Sequence, residues 1–260
     1  MPLSGHAVVL TGAAGGIGKA IALAFAAEGA DLVLGDLADG LDAVAAEARH
    51  RGVRAVALWS DVSRAADMAG LAGRAVSEFG RLDVLVTAAG IDGTGLLAEQ
   101  TERDWLRVVD VNLGGTYRAI RAALPPMMAR GAGRIITIAS VFGKMGGYGY
   151  VTAYAASKHG VIGLSRALAA ELGSQGYPGI TVNAVCPGYV RAGMGIRMQA
   201  TPSGPMAGSD VFDRYYKRRV PLRRMIEAEE IAHAAVFLAR PESGGITGQA
   251  LNVDGGFVMS

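Results

Sequence analysis

The chain has 260 residues, 51% of them apolar, with 25 Lys/Arg against 23 Asp/Glu and a formal net charge of +2. That length and apolar content allow one extensive core held without disulfides or metals, and the near-neutral balance excludes a polyanion binder or an acidic tail protein. The single cysteine, Cys186, rules out an intrachain disulfide, and four scattered histidines (His6, His50, His159 and His233) with no Cys or His at ligand spacing argue against a metal site.

In chain order, short apolar runs alternate with longer stretches of helical period. Strands are expected at Ala7–Thr11, Asp31–Gly35, Arg54–Leu58, Asp83–Thr87, Gly133–Ala139, Ile180–Val185 and Ala250–Val253. Helices are expected at about 17–28, 40–51, 64–79, 102–129, 152–175 and 227–239. Several strands are continuous Val/Ile/Leu runs rather than alternating ones, which marks strands covered on both faces of a parallel sheet. The alternation predicts one α/β domain over residues 1–260, a doubly wound parallel sheet of about seven strands with helices on both faces and right-handed crossovers. The opening Met1–His6 lacks the basic flank and apolar core of a signal peptide, and no apolar run reaches the ~18 residues of a membrane span. The expectation is a cytoplasmic protein with no membrane or nucleic-acid partner.

One stretch breaks the rhythm. Residues 191–224 carry Gly, Pro and Met, and hold eight cations (Arg191, Arg197, Arg214, Lys217, Arg218, Arg219, Arg223 and Arg224) against Asp210 and Asp213. Long irregular insertions in compact domains are usually functional, and this one leaves the carboxyl end of a strand, where open α/β sheets bind ligands. It is the candidate substrate lid. Its arginines suit an anionic substrate. The alternatives are a solvated or subunit-facing helix, or an adaptable apolar pocket built on Arg191–Met206.

The first strand runs into Thr11-Gly12-Ala13-Ala14-Gly15-Gly16-Ile17-Gly18 and a helix follows at once. Glycines let backbone approach a pyrophosphate closely, and a helix N-terminus supplies free amides and a favourable dipole. In this context the turn predicts a Rossmann-type dinucleotide site with Gly12, Gly16, Ile17 and Gly18 as binding residues. Asp36 ends the second strand, 20 residues after Gly16. A carboxylate there accepts from adenine-ribose hydroxyls and repels a 2′-phosphate, and no Arg or Lys follows in Gly35-Asp36-Leu37-Ala38. NAD is therefore expected over NADP, although an Asp at a strand end can also simply cap a loop.

Further segments bring in a family likeness. They are Asp61-Val62, Ala88-Ala89-Gly90, Val111-Asn112, Ile138-Ala139-Ser140, Tyr154-Ala155-Ala156-Ser157-Lys158, Pro187-Gly188, Ile246-Thr247-Gly248-Gln249 and Val253-Asp254-Gly255-Gly256. With the glycine turn, their order and spacing resemble the classical short-chain dehydrogenases/reductases over essentially the whole chain. The resemblance implies that Asp61 and Val62 flank the adenine, that Ala88, Ala89 and Gly90 line the cofactor cleft, and that Pro187, Gly188 and Val190 lie at its nicotinamide end. It also implies a homotetramer whose long helices pair across subunits, acting on a small alcohol or ketone.

The Tyr154/Lys158 pair makes chemical sense by itself. Residues i and i+4 share a helix face, and a nearby ammonium favours the phenolate of a tyrosine whose ordinary pKa is ~10. Such a pair can pass a proton to or from an alcohol oxygen while hydride moves. The resemblance gives Lys158 a second role on the nicotinamide ribose, makes Ser140 the substrate-orienting serine, and has Asn112 hold a water that links Lys158 to solvent. Ser140 could otherwise be a turn cap and Asn112 a solvated helical residue. His159 points some 100° away from Lys158 around the helix and reads as structural. Cys186 reads as a small buried hydrophobe.

Three departures from the family stand out. Thr87 replaces the usual Asn before Ala88 and is expected to hydrogen-bond locally. The Ser140–Tyr154 spacing is one residue longer, so the Lys144–Tyr150 loop is expected to bulge and shape the pocket. Ala192 replaces a Thr that usually contacts the carboxamide, leaving that contact to backbone. The intact set Asn112, Ser140, Tyr154 and Lys158 favours an enzyme over a cofactor-binding regulatory protein. Within the enzymes, the alternative is an NADPH-dependent 3-oxoacyl-thioester reductase.

Overall fold

A computed structural model of the chain describes residues 1–147, 149–196 and 218–259. The strands are β1 (Ala7–Thr11), β2 (Asp31–Asp36), β3 (Ala55–Trp59), β4 (Val84–Thr87), β5 (Gly133–Ile138), β6 (Ile180–Pro187) and β7 (Ala250–Val253). All pair in parallel, in the order β3-β2-β1-β4-β5-β6-β7. Burial follows position in the sheet. Every residue of central β1, β4 and β6 is buried, whereas edge strands β3 and β7 are largely half-exposed. The continuous apolar runs of the centre reflect cover on both faces.

The helices are α1 (Gly16–Ala27), α2 (Leu41–His50), α3 (Ala65–Phe79), α4 (Glu102–Val109), α5 (Gly115–Arg130), α6 (Thr152–Ser174) and α7 (Ala228–Ala239). On one face Ile21 and Phe25 of α1, Val44 of α2 and Ile231 and Val236 of α7 pack on Val8, Leu10 and Leu32. On the other, Leu71 of α3, Ile120 and Met127 of α5 and Leu168 of α6 pack on Val9, Leu85 and Ile135. This is the doubly wound arrangement the alternation predicts.

The stretch 102–129, expected as one helix, is interrupted. Asp110–Gly114 forms a π-helical turn between α4 and α5. The added residue rotates the helix face, and Asn112 within the turn is fully buried rather than solvated. No helix among the described residues is long and apolar enough to cross a membrane.

Candidate active site

The order of strands reverses between β1 and β4, and a cleft of about 630 Å³ opens beyond their carboxyl ends. Gly12 leaves β1 with a left-handed φ of 72°, and a Cβ there would lie 2.5 Å from the Ala89 amide nitrogen. Only glycine allows this crossing. The chain enters α1 through Gly15, an N-cap with no side-chain cap, so the first amides of α1 are left for a ligand in the cleft. Gly16, Ile17, Gly18, Asp61, Val62, Ala88, Ala89, Gly90, Pro187, Gly188 and Val190 all border the same cleft. Leu37 and Ser60 join them at the β2 and β3 ends, and neither carries a pattern the sequence could have flagged.

Asp36 satisfies both of its readings. Its Oδ2 accepts from the Ala14 amide at 2.8 Å, and its Oδ1 from Leu37 at 2.7 Å and Ala38 at 3.1 Å. It thus ties the end of β2 to the glycine turn while bordering the cleft. Asp61 accepts from the amide and hydroxyl of Ser63, which hold its carboxyl below the usual range.

At the other end α6 presents Tyr154 and Lys158. Tyr154 is half-buried, and burial pushes its pKa up to about 12. A hydrogen bond with Ser140 works in the opposite direction, and the Asp92 carboxylate and Cys186 add to the rise. Lys158 Nζ donates to the Ile138 carbonyl at 2.8 Å and sits 5.6 Å from the Tyr154 ring centroid. Burial lowers its pKa to about 8. Burial is thus the largest influence on both groups, and the Ser140 hydrogen bond favours the phenolate.

Ser140 also serves twice. Its Oγ accepts from the Phe142 amide at 3.1 Å, capping the short turn Val141–Gly143, and bonds to Tyr154. Asn112 braces the loop after β4: Oδ1 accepts from the Ile91 amide at 2.8 Å, and Nδ2 donates to the Ile91 carbonyl and Ser157 Oγ, each at 3.0 Å. A Cβ at Gly90 would lie 3.1 Å from Asn112 Oδ1 and 3.7 Å from Lys158 Nζ, so the two side chains border one small space. His159 Nδ1 bonds to the Ala155 carbonyl at 2.9 Å, as its structural reading predicts. Cys186 is fully buried, and its thiol is pushed up to about 11.

The departures have distinct outcomes. Thr87 makes no side-chain hydrogen bond among the described residues; its Oγ1 is buried, because the central strand places it between covered neighbours. In the Lys144–Tyr150 loop Gly147 and Tyr150 have φ of 75° and 71°, the Tyr150 carbonyl accepts from the Gly95 amide at 2.8 Å, and none of its described residues borders the cleft. Tyr148 lies outside the described residues. Ala192 and Gly193 border the cleft, and Gly193 Cα would lie 3.5 Å from a Cβ at Gly16.

The ends of the 191–224 insertion leave the domain side by side, joined by a bridge between Val190 and Ile226. Arg191 pairs with Glu227 at 3.1 Å and Arg224 with Glu230 at 2.6 Å, beside the capping box of α7. These two arginines give the expected anion clamp no support, since their charge is already answered. Residues 197–217, including Arg197, Met206, Asp210, Asp213, Arg214 and Lys217, lie outside the described residues. The sequence also missed an aromatic wall. Phe142 meets Tyr154 and Tyr189 edge-on at 6.4 and 6.1 Å, and Tyr189 meets Phe257 at 6.2 Å.

Lys158 leads to a stability prediction. Its folded pKa lies below the ordinary ~10.4, so between those values the unfolded chain binds more protons and stability rises with pH from about 8 to about 10. At neutral pH the buried ammonium therefore costs stability. Lys158→Met is expected to melt higher than wild type at ~pH 7, with the gap narrowing toward ~pH 10. A pH-independent gap in cofactor-free thermal unfolding would contradict this.

Comparisons with known proteins agree with this geometry. The family described as enoyl-(acyl carrier protein) reductase matches residues 12–258. Oxidoreductase UcpA of Salmonella typhimurium is 39% identical over 259 residues, covering 99% of this chain and 96% of that protein. A 3-oxoacyl-[acyl-carrier-protein] reductase of Synechocystis sp. is 39% identical over 260 residues, covering 99% of this chain and 98% of that protein. A solved structure of an actinorhodin polyketide ketoreductase variant with NADPH superposes with a TM-score of 0.90 at 38% identity, covering 97% of each chain. The chain belongs to the classical short-chain dehydrogenase/reductase family, and it is an oxidoreductase of the kind that binds a nicotinamide cofactor.

Proposed function

We propose that the chain interconverts a secondary alcohol and a ketone with NAD(H), Tyr154 being the group that moves the proton. The observation that carries this reading is the meeting of Tyr154, Ser140 and Lys158 at one end of a cleft whose other end is the glycine turn and Asp36. That cleft fits a dinucleotide: the glycines leave room for a phosphate, and the uncapped start of α1 offers amides to it. When bound, the cofactor supplies a nicotinamide that accepts or donates hydride.

The chain's residues do the rest. Ser140 holds the substrate oxygen beside the Tyr154 hydroxyl. In the alcohol direction Tyr154 takes the hydroxyl proton; in the ketone direction it gives one to the carbonyl oxygen. Lys158 would hold the ribose of a bound nicotinamide cofactor, whose oxidised form would add positive charge favouring the Tyr154 phenolate. Asn112 and Lys158 border the space in which a water carries the proton toward solvent, and backbone at Ala192–Gly193 takes over the missing Thr contact. The assembly is a cytoplasmic homotetramer, supported by the family likeness and checked by sedimentation.

Asp36 supports NAD over NADP. A carboxylate offers about four acceptor positions, and the Ala14, Leu37 and Ala38 amides fill three, leaving one for a ribose hydroxyl. Asp36→Ala is expected to lower the NADH/NADPH ratio of kcat/KM by about tenfold or more. An unchanged ratio would overturn the assignment. The second reading, an NADPH-dependent 3-oxoacyl-thioester reductase, is favoured by the Synechocystis relative and the NADPH-bound ketoreductase. A wild-type preference for NADPH and a 3-oxoacyl thioester would select it.

A further inference from the structure

Asp92 is an ionisable group at the chemical end of the cleft that neither the sequence motifs nor the mechanism uses. The loop that carries it is braced on both sides. Ile91 exchanges two hydrogen bonds with Asn112, and the Gly93 carbonyl accepts from Gln100 Nε2 at 2.9 Å. A Cβ at Gly93 would lie 2.6 Å from a Val108 methyl, so the loop is also seated against α4. Between these anchors the half-buried Asp92 borders the cleft. Its carboxylate makes no hydrogen bond or ion pair among the described residues, and its negative charge is among the causes that raise the Tyr154 pKa.

The surroundings sharpen the meaning. The ionisable groups acting on Tyr154 are Asp92 from the loop after β4 and Cys186 from β6, with Lys158 beside the ring on α6. Arg107 borders the cleft without pairing to Asp92, and Asp110 is paired with Arg118. Val141, Phe142, Val151 and Tyr189 of the apolar cluster also border this cleft. A held anion among apolar walls repels a second anion and seeks a donor.

We infer that Asp92 is a specificity-determining residue that accepts a hydrogen bond from a hydroxyl neighbouring the reacting carbon, so that the enzyme takes uncharged hydroxyketones and diols and rejects carboxylate-bearing ketones. This rests on the alcohol/ketone reading above and replaces the anionic substrate with a neutral one.

The test compares the full chain and Asp92→Asn on butanone, acetoin and acetoacetate with NADH. Wild type is expected to prefer acetoin to acetoacetate, and the variant to lose that preference by about 10–100-fold, the range for a hydrogen bond to a charged group. In the alcohol direction the alkaline rise of kcat/KM is expected to move to lower pH in the variant, since a neighbouring negative charge is gone. A readout independent of turnover is the binding of acetoin and acetoacetate to the protein–NADH complex, followed by NADH fluorescence. Selectivity unchanged in both turnover and binding overturns the inference, as does wild-type preference for acetoacetate. No turnover of any ketone, with binding selectivity that Asp92→Asn still shifts, contradicts the alcohol/ketone reading and leaves Asp92 as the selector.

Discussion

Tyr154→Phe is expected to lower kcat for ketone reduction by about 10²–10⁴-fold while leaving NADH affinity nearly unchanged. The substitution removes one oxygen and little else. A Phe ring keeps the edge contact with Phe142 and the position beside the Lys158 ammonium. The lost hydrogen bond is the one to Ser140, worth about 1 kcal/mol of stability, so the fold is retained. The loss should therefore appear in kcat rather than in melting or in cofactor binding. A variant with wild-type kcat would mean that Tyr154 packs the pocket without moving the proton.

Gly18→Ala is expected to be the most damaging single-methyl change in the glycine turn. The added Cβ would overlap the Gly12 carbonyl oxygen and lie 2.7 Å from the Gly12 carbonyl carbon and 3.1 Å from Ala13 Cα. All three are backbone, so no side chain can swing aside. Either the turn opens or α1 lifts from the sheet, where Ile21 and Phe25 are packed. Overpacking of this kind costs about 1–3 kcal/mol or more, which lowers Tm by roughly 2–4 °C per kcal/mol in a chain of this size. NADH binding should weaken at least about tenfold, because the amides that cradle the phosphates move. The contrast is Gly73→Ala on the exposed face of α3, where nothing lies within 4 Å of the new Cβ and a gain of about 0.5–1 kcal/mol is expected. Equal effects at the two positions would mean that close approach is not what requires Gly18.

Much of this was legible in the sequence because it depends on local pattern. The buried run Ala7–Thr11 could only be a covered strand, and the turn after it could only be tight. What was not legible depends on tertiary surroundings. The π-helical turn at Asp110–Gly114 keeps the apolar rhythm of 102–129 almost intact, so Asn112 reads as an ordinary helical residue. The burial of the Tyr154 hydroxyl was not legible because desolvation depends on what encloses it, and spacing along α6 does not carry that. Asp92, Phe142, Tyr189 and Phe257 come from four separate segments and share no motif. The arginines of 191–224 looked available by composition, whereas Arg191 and Arg224 are committed to Glu227 and Glu230 near the start of α7. Asp36 and Ser140 show the reverse case. Their structural and functional readings looked exclusive in sequence, yet both carry enough lone pairs to cap a turn and face the cleft.

The most direct test of the central claim is NADH consumption by wild type and Tyr154→Phe across neutral ketones, hydroxyketones, oxo acids and a 3-oxoacyl thioester. The account predicts turnover of at least one neutral ketone by wild type, faster with NADH than with NADPH, and its loss in Tyr154→Phe. Tight NADH binding with no turnover of any ketone or alcohol would contradict it and make the chain a cofactor-binding regulatory protein.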